Sequence, residues 1–220
     1  MKRNQVIIIS IIFAGLINIK MECNKARVQN PDFIYKYQFQ QKISIEPYQA
    51  NYHVGDTIFF QMYVPGKKFY DSRSDSKVFF DSASFNMGVF VNLEFNNPYV
   101  GDGPFASFIF PPGVSAYTSN YSGTTQAYVT TGCSQSQDYL VTIGAVLIQK
   151  GVFSVGAFCN SVQYCNNGYA TKVQLRLSLD VDDTHKTYYE GLPFSDIGKQ
   201  VNKDVLSELD TKYAAVIVVQ

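Results

Sequence analysis

The sequence of 220 residues holds no tryptophan, two histidines and five glutamates. Charged residues make up 16%, and the 18 basic side chains are matched by 18 acidic ones. Without an excess of either sign there is no electrostatic footprint for nucleic acid or for an acidic partner. His53 and His185 stand at neither HExxH nor any other catalytic spacing, and both read as turn or surface residues. The four cysteines show no C-x-x-C spacing, which removes the usual zinc and dithiol motifs. A nucleophile elbow is also missing. Its nearest approach, Gly151-Val152-Phe153-Ser154-Val155-Gly156, is one residue too wide and falls inside a predicted strand. Asp180, Asp182 and Asp183, with His185 nearby, form the densest acidic cluster. Alternation along a strand turns Asp182 and Asp183 to opposite faces, so a solvated strand end explains them better than calcium does. Asp71-x-x-x-Asp75 lacks the glycine and terminal glutamate of an EF-hand loop. The expectation is therefore no enzyme, no cofactor and no metal.

What is present is aromatic and β-forming. Sixteen tyrosines and 17 phenylalanines bring the aromatic fraction to 15%, a bias toward strands. Short β-branched and aromatic runs occur at 42–46, 56–64, 77–80, 83–95, 105–110, 127–131, 139–149, 152–158, 170–182 and 213–219. Gly, Pro, Asn and Asp punctuate them, as at Pro65-Gly66, Gly101-Asp102-Gly103 and Pro111-Pro112-Gly113. Runs 139–149 and 152–158 read as an antiparallel hairpin turning at Lys150-Gly151, with facing numbers summing to about 301. Ser195 is a candidate N-cap for one late helix whose face would hold Ile197, Val201, Leu206 and Leu209. The fold class expected is all-β: an immunoglobulin-like antiparallel β-sandwich of about nine to ten strands with one short late helix.

The N-terminus reads as a targeting segment. Lys2 and Arg3 precede a 12-residue stretch, 6–17, in which only Ser10 is polar. At 1.5 Å per residue it covers about 18 Å of the roughly 30 Å hydrocarbon core, so a signal peptide fits better than a membrane span. No small-x-small cleavage site follows, but Cys23 does. A cysteine just past the apolar stretch resembles a bacterial lipoprotein signal, in which that cysteine is acylated and becomes the first residue. Lys20, Met21 and Glu22 depart from the usual small residues before it. The organisation expected is a signal peptide at 1–22, a tether at 23–40 and a single β-sandwich domain at 41–220. The protein is then an anchored lipoprotein of the bacterial envelope, or a secreted or periplasmic protein if Cys23 carries no lipid. Any membrane contact would run through that lipid alone.

An exported chain can hold disulfides. Lipid on Cys23 leaves Cys133, Cys159 and Cys165, hence one bridge and one free thiol; an unmodified Cys23 permits two bridges. On the hairpin register, Cys133 with Cys165 sums to 298 and Cys133 with Cys159 to 292. The first pair is favoured, and a local Cys159–Cys165 closure stays open.

Between the first two strands lies Tyr52-His53-Val54-Gly55-Asp56-Thr57-Ile58. Here Gly supplies a turn conformation with positive φ, Asp can accept from nearby backbone N–H groups, Tyr packs beneath and Ile58 enters the core. The Y-x-x-G-D-x-[IV] pattern resembles the entry to the second strand of immunoglobulin-like and macroglobulin-like modules. Signal, tether and this element together resemble a group of uncharacterised Bacteroidetes-type exported lipoproteins. That resemblance implies a β-sandwich and contributes no catalytic residue.

The segment with a binding composition is 114–132, VSAYTSNYSGTTQAYVTTG, a mixture of Tyr, Ser, Thr, Gly and Asn typical of adaptable recognition surfaces. Tyr117, Tyr121 and Tyr128 are the candidate ligand-binding residues. A solubilising loop, or an edge strand kept polar, has the same composition. The function expected is binding of a protein or surface partner without catalysis. The alternative is a glycan or small-ligand module built on the three tyrosines, against which the absence of indole rings weighs.

Overall fold

The computed structural model describes residues 36–49, 51–81, 83–93, 104–121, 123–133, 136–165, 168–169, 173–181 and 213–220. All belong to the compact unit Tyr35–Gln220. The signal at 1–22, Cys23, the late helix and the 96–104 loop up to residue 103 lie outside the described residues, as do Asp182, Asp183 and His185.

Fourteen strands are described: β1 (Tyr37–Glu46), β2 (Asn51–Tyr52), β3 (Thr57–Val64), β4 (Lys68–Asp71), β5 (Ser76–Phe79), β6 (Ala83–Leu93), β7 (Ala106–Ile109), β8 (Ser115–Tyr121), β9 (Thr124–Thr130), β10 (Tyr139–Leu147), β11 (Gly151–Tyr164), β12 (Gly168–Tyr169), β13 (Val173–Leu179) and β14 (Ala214–Val219). They form two sheets. The first runs β5-β4-β1-β3-β10-β7 with β13 along β1, and the second runs β2-β14-β11-β6-β9-β8 with β12 on β11. The all-β sandwich expected from composition is thus the fold, with two departures. Pairing is antiparallel except for β1 with β13 and β14 with β2, which are parallel. The strand number exceeds ten because short pieces such as β2, β4 and β12 pair as well.

The first strand starts at Tyr37, not at Lys42, because residues 37–43 bond to β13 in register Tyr37↔Val173 through Ile43↔Leu179. The end of the expected tether is therefore sheet. The expected 139–158 hairpin does not form. β10 pairs with β3 and β7 in the first sheet, β11 with β6 and β14 in the second, and Lys150 crosses between them. The faces exclude the expected register. Leu147 and Phe153 are both fully buried in the core, and residues directly opposite in an antiparallel pair share a face. Facing numbers summing to 301 would set Leu147 beside Ser154 and Phe153 beside Ile148, placing one strand's core residues on the other's outer side.

Alternation builds the core. Phe39, Ile43 and Ile45 of β1, Ile58, Phe60, Met62 and Val64 of β3, and Val89, Val91, Phe153 and Val155 of the second sheet are all buried. At one end the rings knit the sheets together. Phe39 lies 5.0 Å from Phe69, Phe69 lies 5.7 Å from Phe85, and Phe85 meets Tyr139 edge-on at 4.9 Å. The Tyr139 hydroxyl donates to the Phe80 carbonyl and accepts from the Ala83 N–H, each at 2.9 Å. Lys67 is buried there too, its ammonium 5.3 Å from the Tyr139 ring and paired with Asp81.

The Tyr52–Ile58 element behaves as its chemistry requires. Gly55 takes φ +98°, and its N–H donates to Leu147 O at 2.7 Å. Asp56 accepts from the His53 N–H at 2.8 Å, while the Leu147 N–H donates to Asp56 O at 2.9 Å. Tyr52 is fully buried, and its hydroxyl donates to Pro47 O at 2.7 Å. One turn thereby ties β2 and β3 to the end of β10.

Candidate functional site

The Tyr-rich segment is a hairpin, not a solubilising loop, and its first strand is the edge strand kept polar. β8 and β9 pair from Ser115↔Thr130 to Tyr121↔Thr124, turning at Gly123 with φ +82°. Because β9 also pairs with β6, and β6 with β11, cross-strand register sets one continuous line on the outer face: Tyr117, Tyr128, Gly88, Phe158. The adjacent line runs Gln126, Phe90, Gly156.

Two glycines make this face possible. A Cβ on Gly88 would sit 2.2 Å from the Phe158 ring, and one on Gly156 would sit 2.4 Å from the Phe90 ring. Each phenylalanine therefore lies down over the glycine of the neighbouring strand. Phe158 and Phe90 are 6.4 Å apart and nearly parallel. Tyr128 meets Phe158 edge-on at 5.6 Å, and Tyr117 stacks on Tyr128 at 4.6 Å with 10° between planes. That separation matches the spacing of neighbouring strands, so the two tyrosines stand upright, face to face. Tyr117 is 58% exposed and Tyr121 80%.

The hairpin itself is polar but uncharged, and Arg176 lines the cleft beside Phe158. Residues 115–130 include no Asp, Glu, Lys, Arg or His. Asn86 donates to Thr130 Oγ1 at 2.9 Å and accepts from Asn160 at 3.1 Å, fixing a fringe of amides and hydroxyls beside the rings. All three sequence-derived tyrosines thus share one face, but they do not converge equally. Tyr117 and Tyr128 are stacked, whereas Tyr121 stands opposite Thr124 at the hairpin end. Sequence reasoning missed Phe90 and Phe158, and with them Gly88 and Gly156. The available signal was a glycine inside each of two strand patterns.

The other candidates are structural. Cys133 and Cys165 are bonded and Cys159 is free. The bond does not arise from the expected hairpin. Cys133 follows β9 and Cys165 directly follows β11, and both strands flank β6, with Asn86↔Thr130 on one side and Ala83↔Tyr164 on the other. Burial pushes the Cys159 thiol up to about 12, and its Sγ donates to Ser161 O, so it is no thiolate at neutral pH. Ser154 is fully buried in β11. His53 and Asp56 are a surface pair 3.8 Å apart, and Asp180 pairs with Lys42 at 2.8 Å on the surface. Asp71 is buried within its own turn and accepts from Gln38 N and Ser74 Oγ, both at 2.8 Å. No group of three His, Cys, Asp or Glu able to hold a metal exists among the described residues. A cleft of about 300 Å³ opens between Pro111, Pro112, Val114, Thr131, Leu140 and Val141. It offers prolines and aliphatic side chains and no carboxylate, histidine or lysine.

No family model matches the chain, and no curated protein matches it. Among the solved structures similar to it are two cohesins. A non-cellulosomal cohesin from the hyperthermophilic archaeon Archaeoglobus fulgidus has 9% identity and a TM-score of 0.29, the match covering 70% of this chain and 99% of that one. The type II cohesin dyad from the adaptor ScaA scaffoldin of Acetivibrio cellulolyticus has 7% identity and a TM-score of 0.29. There the match covers 65% of this chain and 46% of the dyad.

Proposed function

We propose that this chain is a non-enzymatic, exported β-sandwich of the bacterial envelope, and that the outer face of its second sheet binds a protein or surface partner. The observation that carries the reading is the ring line Tyr117–Tyr128–Phe158 with Phe90, laid on Gly88 and Gly156. A monomer's core does not need these rings. With Tyr117 exposed and Tyr128, Phe158 and Phe90 half-buried on rigid strands beside a hydroxyl and amide fringe, they have the composition of an interface centre: aromatic and low in side-chain entropy. The glycan alternative draws support from Tyr121 alone, since Tyr117 and Tyr128 spend a ring face on each other.

The test is capture from envelope extract by the wild-type protein and by a Tyr117→Ala, Tyr121→Ala double variant with an unchanged melting curve. Partners retained by wild type and lost by the variant are expected. An identical captured set from both proteins overturns the assignment. Attachment through Cys23 is read separately, from an intact mass beginning at that residue with added acyl mass.

A further inference from the structure

Among the described residues β8 is the outermost strand of the second sheet and hydrogen-bonds only to β9. Its burial differs from that of every longer strand. Six of its seven residues are exposed on both faces and the seventh is half-buried, so it overhangs the sandwich. Natural sheets guard such edges with charge, proline, bulges or brevity. The other edges here have those guards: β5 is four residues long and carries Lys77, β7 is four residues long, β2 is two, and β13 carries Arg176. β8, Ser115–Tyr121, has none of them.

We infer that β8 joins two copies of this chain by antiparallel pairing of β8 with β8 about a two-fold axis at Thr118. Backbone geometry sets the register. Counting back from the Tyr121↔Thr124 pair that closes the hairpin, alternate residues from Tyr121 to Ser115 exchange their bonds with β9. Ala116, Thr118 and Asn120 therefore turn their N–H and C=O groups to the open edge. A two-fold at Thr118 sets Thr118 against itself and Ala116 against Asn120 of the second copy. About six backbone hydrogen bonds form, and no outward group of these three residues is left over.

Side chains agree with that register. Tyr117 meets Ser119 and Tyr121 meets Ser115, large against small at each position, with a threonine pair on the axis. Charge agrees as well. Residues 115–130 include no Asp, Glu, Lys, Arg or His, so pairing β8 with β8 sets no like charges opposite each other. The seam is short. Seven residues span about 23 Å and cover far less than the ~1,200–2,000 Å² of a standard interface, so the dimer is weak and dissociates on dilution.

The experiment is sedimentation velocity on the purified protein from micromolar to near-millimolar concentration. A reversible monomer–dimer shift is expected, weakened at least about tenfold by Thr118→Pro, which removes an outward N–H and no bond to β9. A register test stands beside it should proline disturb the hairpin. Under oxidised glutathione, Thr118→Cys gives a covalent dimer and Ser115→Cys does not, because residue 115 lies far from its own copy. A protein monomeric throughout overturns the inference. So does a dimer that Thr118→Pro leaves unchanged, or equal cross-linking of the two cysteine variants.

Discussion

Two aromatic assemblies divide this molecule. One lies between the sheets, where Phe39, Phe69, Phe85 and Tyr139 meet at 4.9–5.8 Å and all are buried. The other lies outside, where Tyr117, Tyr128, Phe158 and Phe90 meet at 4.6–6.4 Å on one face of the second sheet. Contact distances hardly differ, yet the physics does. The inner rings are held by removal from water, and truncating one opens a cavity. The outer rings lean on glycines and on each other, and water replaces a missing one. Ring stacking alone therefore says little about why a ring is there; what lies on its far side decides.

The largest contrast is expected from truncation. Phe69→Ala should cost about 3–5 kcal/mol of stability in a urea melt, as for other buried phenylalanines, while Tyr117→Ala should stay within about 1 kcal/mol. Comparable losses from the two would erase the distinction between core and platform. Next come the glycines. At Gly156 a Cβ meets the Tyr213 carbonyl oxygen at 2.5 Å as well as the Phe90 ring, and backbone cannot swing aside. Gly156→Ala should cost about 1–3 kcal/mol. Gly88→Ala should cost less, because only the Phe158 ring must lift. Its signature would be a changed ring-proton spectrum for Phe158 and Tyr128 with the Phe85 and Tyr139 signals unmoved.

The smallest effect concerns acid. Asp71 holds β4, which carries Phe69, against β1, which carries Phe39, in the pair Phe39↔Asp71. Burial alone would raise the Asp71 carboxyl, but the Gln38 N–H, the Ser74 hydroxyl and the backbone N–H groups of Arg73 and Ser74 outweigh it, and its pKa lies below 3.8. A depressed folded value means that its contribution is complete above the unfolded pKa and is lost as pH falls through the folded one. Acid should therefore loosen the inner assembly before the outer one, and Asp71→Asn should flatten the stability profile below about pH 4. A wild-type and an Asn profile that run parallel there would remove this role.

How far these regions could be read from sequence follows from the same division. β3, β6 and β7 announce themselves because an apolar residue points inward at alternate positions, and β14 because its run AAVIVV is apolar throughout. The Tyr52–Ile58 turn is equally plain, since glycine and aspartate have few other uses at that spacing. β8 is opaque: with both faces in water, SAYTSNY has no apolar alternation to detect, and its composition reads as loop. The bed beneath Phe158 is opaque for another reason. Gly88 and Phe158 lie 70 positions apart in the chain, and only the β6–β11 register brings them together. The 139–158 hairpin shows the converse error. A tight turn between two apolar runs suggested pairing, but the chain instead crosses from one sheet to the other at Lys150.

The parallel pairs have a consequence for how the chain comes to be folded. β1 finds its edge partner only when residues 173–179 exist, and β2 only when residues 218–219 do. A ribosome making the chain from its first residue therefore releases most of it before either sheet can be completed. Long-range pairings of this kind form slowly, because a large loop must close before any bond rewards it. The first sheet has all of its described strands once residue 179 has emerged, whereas the second must wait for the last strand, Ala214–Val219.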